Sequence, residues 1–241
     1  GDPHVRTFDG ARPNFYAEGE EWIVRSEQVW IQGRYKGTKW TKGLAATNKL
    51  AVGGPFLRGR VIVVGTLDAG AVVVDDQEVL TDFPSTYSLA GLGTLRYNGQ
   101  GDLPDDAAGV WDKKVVHMDL PLGVQVTVFR WKNYVDFRIK MPAQPGQDGA
   151  CGTANSDPSD DTAEAIQSRV GAQVAPNELL FKRPTVPRTS DAVKHLIAIC
   201  QRKAATFARA QQECNQNKAC IMNVCYGSNS HALRFAKSMG L

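Results

Sequence analysis

Between residues 5 and 141 the hydrophobic positions come in short runs, split every few residues by Gly, Pro, Asn or Asp, and no stretch keeps helical spacing for long. Two runs are the clearest. In Val124-Gln125-Val126-Thr127-Val128-Phe129 and Val135-Asp136-Phe137-Arg138-Ile139-Lys140 apolar and polar residues alternate, giving each segment one face for a core and one for water. Trp131-Lys132-Asn133-Tyr134 supplies a polar turn between them, so the pair is expected to form a hairpin. Strands are expected at 22–24, 29–35, 60–64, 71–74, 115–118, 124–131 and 134–140. The natural packing for such strands is two stacked antiparallel sheets, so the expected fold class is mainly β, an antiparallel β-sandwich.

The pattern changes after Met141. Pro142, Pro145, Gly146 and Gly149 end the strands, and a polar acidic loop follows over 151–161. A short helix is expected at 163–170, inside a stretch to residue 188 that carries three prolines and reads as a packed connector. Asp191 is placed to cap a helix whose apolar positions Val193, Leu196, Ile197, Ala204 and Phe207 recur at helical spacing to about Cys214. A second short helix is expected at 218–225. The expected organisation is a sandwich over 1–165, a connector over 166–190 and a small α-helical C-terminal subdomain over 191–241.

Composition narrows the function. The 241 residues are 42% hydrophobic, enough for one large core. Lys and Arg number 28 against 25 Asp and Glu, and a net charge of +3 is too small for a nucleic-acid footprint. No apolar run approaches the ~20 residues of a membrane helix. No basic start with an apolar stretch and cleavage site opens the sequence, which reads as mature or excised material. Four of the five cysteines, Cys200, Cys214, Cys220 and Cys225, crowd into the tail. They contain no C-x-x-C pair, and the nearby His195 and His231 lack zinc-finger spacing, so two disulfides are favoured over a metal, with pairing open. This implies an oxidising setting, extracellular or a secretory or organelle lumen. Cys151 is left over, either free or paired elsewhere.

The chemistry concentrates in Asn155-Ser156-Asp157-Pro158-Ser159-Asp160-Asp161, three carboxylates and an amide within seven residues. Hard oxygen donors without Cys or His select calcium or magnesium, and an irregular loop suits calcium. It is not an EF-hand: counting from Asn155, the required glycine is Asp160 and the bidentate acid is Ile166. From this loop alone, a solvated turn with Asp160 or Asp161 capping the next helix is an equal alternative.

Gly1-Asp2-Pro3-His4-Val5-Arg6-Thr7-Phe8-Asp9-Gly10 and Gly149-Ala150-Cys151-Gly152-Thr153-Ala154-Asn155-Ser156-Asp157-Pro158-Ser159-Asp160-Asp161 resemble the opening and closing motifs of the von Willebrand factor type D (VWD) domain. The spacing between them, with Leu120-Pro121-Leu122-Gly123-Val124 and Tyr134-Val135 inside, is also similar, and the resemblance covers about two thirds of the chain. It implies a β-sandwich on which the motifs meet at a calcium (Ca2+) site made by Asp9, Thr153, Asn155, Asp157, Asp160 and Asp161, Asp157 through its main-chain carbonyl. Thr153 departs from the family's usual Asn. Glu20-Glu21-Trp22 stands where the family places an early cysteine, and no cysteine precedes Cys151, so the usual sandwich disulfides are missing. Cys200, Phe207, Cys214 and Ala219-Cys220-Ile221-Met222-Asn223-Val224-Cys225 resemble a reduced form of the cysteine-rich helical module that follows type D domains.

An enzyme is not expected. Asp2-Pro3 offers the one credible reaction, because an aspartyl carboxylate can attack its own carbonyl with His4 tuning proton transfer, and some relatives with this motif self-cleave there. A rigid start to the first strand is the favoured reading of these residues. His117 is expected to be a satisfied sheet residue, and Asp75-Asp76 and Asp105-Asp106 solvated turns. The expected function is a non-catalytic calcium-binding structural and protein-interaction module of a larger assembly, with Trp30, Trp40 or Trp111 meeting other proteins or packing in the core. Self-processing at Asp2-Pro3 is the alternative, and a lipid or pigment carrier role ranks third.

Overall fold

The computed structural model describes residues 4–15, 18–37, 45–68, 72–98, 115–170, 174–184, 191–214 and 225. The short strands assemble as two antiparallel meanders. The first has six strands in sequence order: β1 (Gly19–Arg25), β2 (Trp30–Gly37), β3 (Ala45–Gly53), β4 (Ile62–Gly65), β5 (Val72–Val74) and β6 (Gln77–Val79). The second has five: β7 (Ser85–Ser88), β8 (Thr94–Tyr97), β9 (Val115–Asp119), β10 (Gln125–Arg130) and β11 (Val135–Lys140). The fold is thus mainly β, with a small helical part.

Alternation decides which side chains meet between the sheets. Ile23, Ile31, Leu50, Val52, Ile62 and Val64 come from the first sheet and Leu95, Val116, Met118, Val126, Val128 and Val135 from the second, each fully buried in one core. The expected β10–β11 hairpin forms, with Val128 opposite Phe137 and its turn closed by Trp131 N–H donating to Tyr134 O at 2.9 Å. Glu20, in the segment where the resemblance leads one to expect a cysteine, instead meets Arg34 at 2.7 Å, both largely buried.

The acidic loop leads into α1 (Ala163–Val170), as the spacing predicts, and Ile166 seals the core. Residues 174–184 then cross the outer face of the first sheet. Val174 N–H donates to Glu20 O at 3.0 Å, the Gln32 side-chain amide bonds Glu178 O at 2.7 Å and Leu180 N–H at 2.9 Å, and a Cβ on Gly53 would lie 2.8 Å from Leu180. The tail corrects one expectation. The single helix from Asp191 to Cys214 is two helices, α2 (Asp191–Gln201) and α3 (Ala204–Cys214), split by a turn in which Arg202 and Lys203 N–H donate to Ile199 and Cys200 O. Cys200 is bonded to Cys225. The Cys214 side chain, Cys220 and the expected helix at 218–225, apart from Cys225, lie outside the described residues. Among the described residues no helix is long and apolar enough to cross a membrane.

Candidate metal centre

Asp9 and the acidic loop are far apart in sequence, and two edge contacts bring them together. Residues 148–151 run along the free edge of β1, where Ala150 N–H donates to Trp22 O at 2.8 Å and Cys151 N–H to Ile23 O at 3.0 Å. The chain start forms a small hairpin, with Val5 N–H to Pro13 O and Thr7 N–H to Ala11 O, both 3.0 Å, and its tip is fastened by Phe8 N–H to Cys151 O at 2.8 Å. Asp9 therefore projects from this tip onto the loop.

Its carboxylate accepts two successive main-chain N–H groups, Asn155 at 3.0 Å and Ser156 at 2.9 Å. Consecutive amides form a concavity for an anion. The turn that aims them puts Ala154 (φ 56°) and Ser156 (φ 72°) in the left-handed region, at a cost of about 1–2 kcal/mol each. The Asn155 amide braces the loop, donating to Asp160 Oδ2 at 2.8 Å and accepting Asp157 N–H at 2.7 Å. The Asp157 carboxylate turns away to accept Ser159 N–H at 2.9 Å and Ser159 Oγ–H at 2.6 Å. Those bonds hold its pKa below the ordinary carboxylate range.

Asp161 is the buried member. Its Oδ1 accepts Thr153 N–H at 3.1 Å and stands 3.7 Å from the Arg169 guanidinium. Burial pushes its carboxyl up, the neighbouring Thr7 hydroxyl and the Thr153 N–H pull it down, and the charges of Asp9 and Asp160 push it up again, leaving it raised. Three oxygens of the cluster, Thr153 Oγ1, Asp160 Oδ1 and Asp161 Oδ2, are buried without any hydrogen-bond partner. A buried acceptor left without a donor costs about 1–3 kcal/mol, more if charged. A Cβ on Gly152 would stand 2.0 Å from Asp161 Oδ2, so the glycine keeps space open beside that oxygen.

This donor set fits a hard cation of the calcium kind, which takes carboxylate, amide, hydroxyl and carbonyl oxygens together. Hydrogen bonds link Asp9 to Asn155, Asn155 to Asp160 and Thr153 to Asp161, whereas the Asp157 side chain is committed to its turn. Among the described residues no three carboxylate, imidazole or thiol groups converge as a metal cluster. The sequence reading missed three contributors. Arg169, on α1, holds Asp148 at 2.9 and 3.2 Å and donates to Asp160 O at 2.5 Å. Thr7 and Gly152 complete the surroundings of Asp161. An arginine one helix away reads as solvated in sequence, whereas the glycine, next to Thr153, and Thr7, two residues before Asp9, lie inside the paired motifs.

The other candidates are dispersed. His4 bonds Asn14 through its ring and shares a β-bridge with it, while Asp2 and Pro3 lie outside the described residues. His117 is buried and satisfied, bonding Thr127 Oγ1 at 2.9 Å and Asp119 Oδ1 at 3.0 Å. Asp75 is not merely a solvated turn residue: it pairs with Arg60 and accepts Val61 N–H at 2.8 Å, and Asp76 meets Lys182 at 3.1 Å. Trp30 is half-buried, edge-on to Trp22 at 5.9 Å. Trp40, Trp111, His231 and Asp105-Asp106 lie outside the described residues, as does the His195 side chain. Cys151 is a free, buried thiol pushed up to about 12 by burial and by Asp161, which keeps it protonated and poorly nucleophilic. Compared with protein-family models and with curated proteins, the chain matches none.

Proposed function

We propose that this chain is a non-catalytic, calcium-stapled β-sandwich of the VWD kind that serves as a structural and protein-interaction module in an extracellular or oxidising luminal assembly. The observation that carries the reading is the clamp of Asp9 on Asn155 and Ser156, made across 146 and 147 residues, beside three buried oxygens that lack donors. A cation there satisfies those oxygens and neutralises three neighbouring carboxylates at once. Asp9, Asn155, Asp160, Asp161 and the Thr153 hydroxyl hold it, with the Asp157 carbonyl as the sixth donor. The Cys200–Cys225 disulfide supports the oxidising compartment.

The test is calcium titration by calorimetry, with thermal unfolding in calcium and in chelator, on the wild type, Asp9→Ala and Asp160→Ala. Calcium is expected to raise the melting temperature of the wild type and of neither variant. A wild type that ignores calcium reduces the loop to an acidic turn.

A further inference from the structure

Of the four edge strands in the two sheets, three are short or covered. β1 is sealed by residues 148–151 and by Val174, β6 has 3 residues and β7 has 4. β11 has 6 residues, ends the second sheet and pairs only with β10 among the described residues. Long edges with unpaired amides invite another strand, which is why folded proteins usually blunt them.

Among the described residues, the backbone groups of β11 that no strand meets can be named. In an antiparallel ladder hydrogen-bonded and non-hydrogen-bonded pairs alternate. The Trp131–Tyr134 pair closes the hairpin with a hydrogen bond, and the β10–β11 register runs without a bulge from Arg130↔Val135 to Gln125↔Lys140. Asp136 and Arg138 therefore turn their amides to β10, and Val135, Phe137 and Ile139 turn theirs away from it, Val135 under full burial and Phe137 and Ile139 at partly exposed positions.

Across from this edge lies a second one. Val5 and Thr7 give their N–H groups to the other arm of the N-terminal hairpin, so Arg6, between them, faces its backbone the opposite way. Arg6 and all three outward-facing β11 residues line a single cavity of about 690 Å³. Tyr35 and Cys151 line it too, and the Tyr35 hydroxyl is buried with no group in hydrogen-bond geometry, the neighbouring Thr47 included. Two backbone edges and one orphaned hydroxyl thus border the same space.

We propose that this groove binds an extended peptide segment of a partner protein, which adds to β11 as a sixth strand of the second sheet, with Arg6 on its far side and a small polar side chain meeting Tyr35. β11 spans roughly 20 Å, which sets the segment at about six residues. Main-chain pairing supplies affinity and the Tyr35 position supplies selectivity. The inference names the kind of partner for the interaction role proposed above and rests on that role, but not on the ion.

The experiment selects a phage-displayed library of random peptides of about nine residues on the intact chain in saturating calcium, with counter-selection on Phe137→Pro, which deletes one outward amide at an edge position where proline is tolerated. Enriched peptides, made synthetically, are expected to slow hydrogen exchange at the partly exposed Phe137 and Ile139 amides. N-methylating one alternate set of peptide residues is expected to weaken binding about tenfold or more, while methylating the other set leaves it intact. Both of these measurements use the wild type, so they hold even if Phe137→Pro fails to fold. The proposal is overturned if no peptide is enriched on the wild type, if binding leaves those amides unprotected, or if both methylated sets bind equally. Protection that rises with protein concentration in the absence of peptide also overturns it, in favour of a second copy of the chain. Calcium binding is measured on the same samples, so its failure is read separately.

Discussion

Replacing Asp161 by Asn separates a cation site from an acidic turn by the sign of its effect. The substitution keeps the Oδ1 acceptor for Thr153 N–H and puts an amide where Oδ2 has no donor. It also removes a buried charge that Asp9 and Asp160 oppose, at the expense of a 3.7 Å contact with Arg169. In chelator the gain and the loss nearly cancel, so stability is expected to change by no more than about 1 kcal/mol, in either direction. In calcium at a hundred times its dissociation constant the wild type is expected to gain about 2.7 kcal/mol that the variant lacks. For a chain of this size each kcal/mol moves the melting temperature by roughly 2–4 °C, a gap of about 5–11 °C that opens only with the metal. Differential scanning calorimetry on both proteins, with and without calcium, measures it. An Asp161→Asn protein equally destabilised in both buffers refutes the reasoning, because Asp161 would then act through its hydrogen bonds alone.

Gly152→Ala is expected to be the more damaging change, and in both buffers. Its φ of +85° and the 2.0 Å approach to Asp161 Oδ2 add a backbone cost of about 1–3 kcal/mol to an overlap cost of similar size, and a chemical melt near wild type would contradict this. On the second sheet, burial pulls the Asp119 pKa up, but hydrogen bonds from His117 and Gln125 and the charge of Arg96 outweigh it and leave it lowered. A lowered folded-state value contributes stability above the ordinary aspartate range that is lost as pH falls through the folded value. Asp119→Asn is therefore expected to destabilise at neutral pH and to match the wild type in strong acid, as read from urea melts across that range.

Much of the sandwich is legible in its strands of clean alternation. β10 and β11 alternate because one face meets the core and the other lies outside the sandwich. β3 is not legible, since Ala45-Ala46-Thr47-Asn48-Lys49 is small and polar where a strand is expected to be branched and apolar, and its outer face near Gly53 is covered by Leu180. β7 and β8 hide for a different reason. Ser85-Thr86-Tyr87-Ser88 is only half-buried at best and carries little hydrophobic signal. The break at Arg202 and Lys203 has neither Gly nor Pro to announce it. In the site, the carboxylates were visible as a cluster, but the approach of Asp9 rests on edge contacts between distant backbones, which no local pattern encodes. Only the paired motifs of the VWD resemblance led to it.

The Asp9 clamp also governs how the chain carries tension. It ties two points 146 residues apart, so a pull applied at His4 and at Thr162 passes through this clamp and the neighbouring Phe8–Cys151 bond and leaves the intervening strands slack. Roughly 500 Å of contour length is stored behind that contact. A cation seated among Asp9, Asp160 and Asp161 would raise the force at which this length is released, making the ion a latch on extensibility as much as a contributor to equilibrium stability.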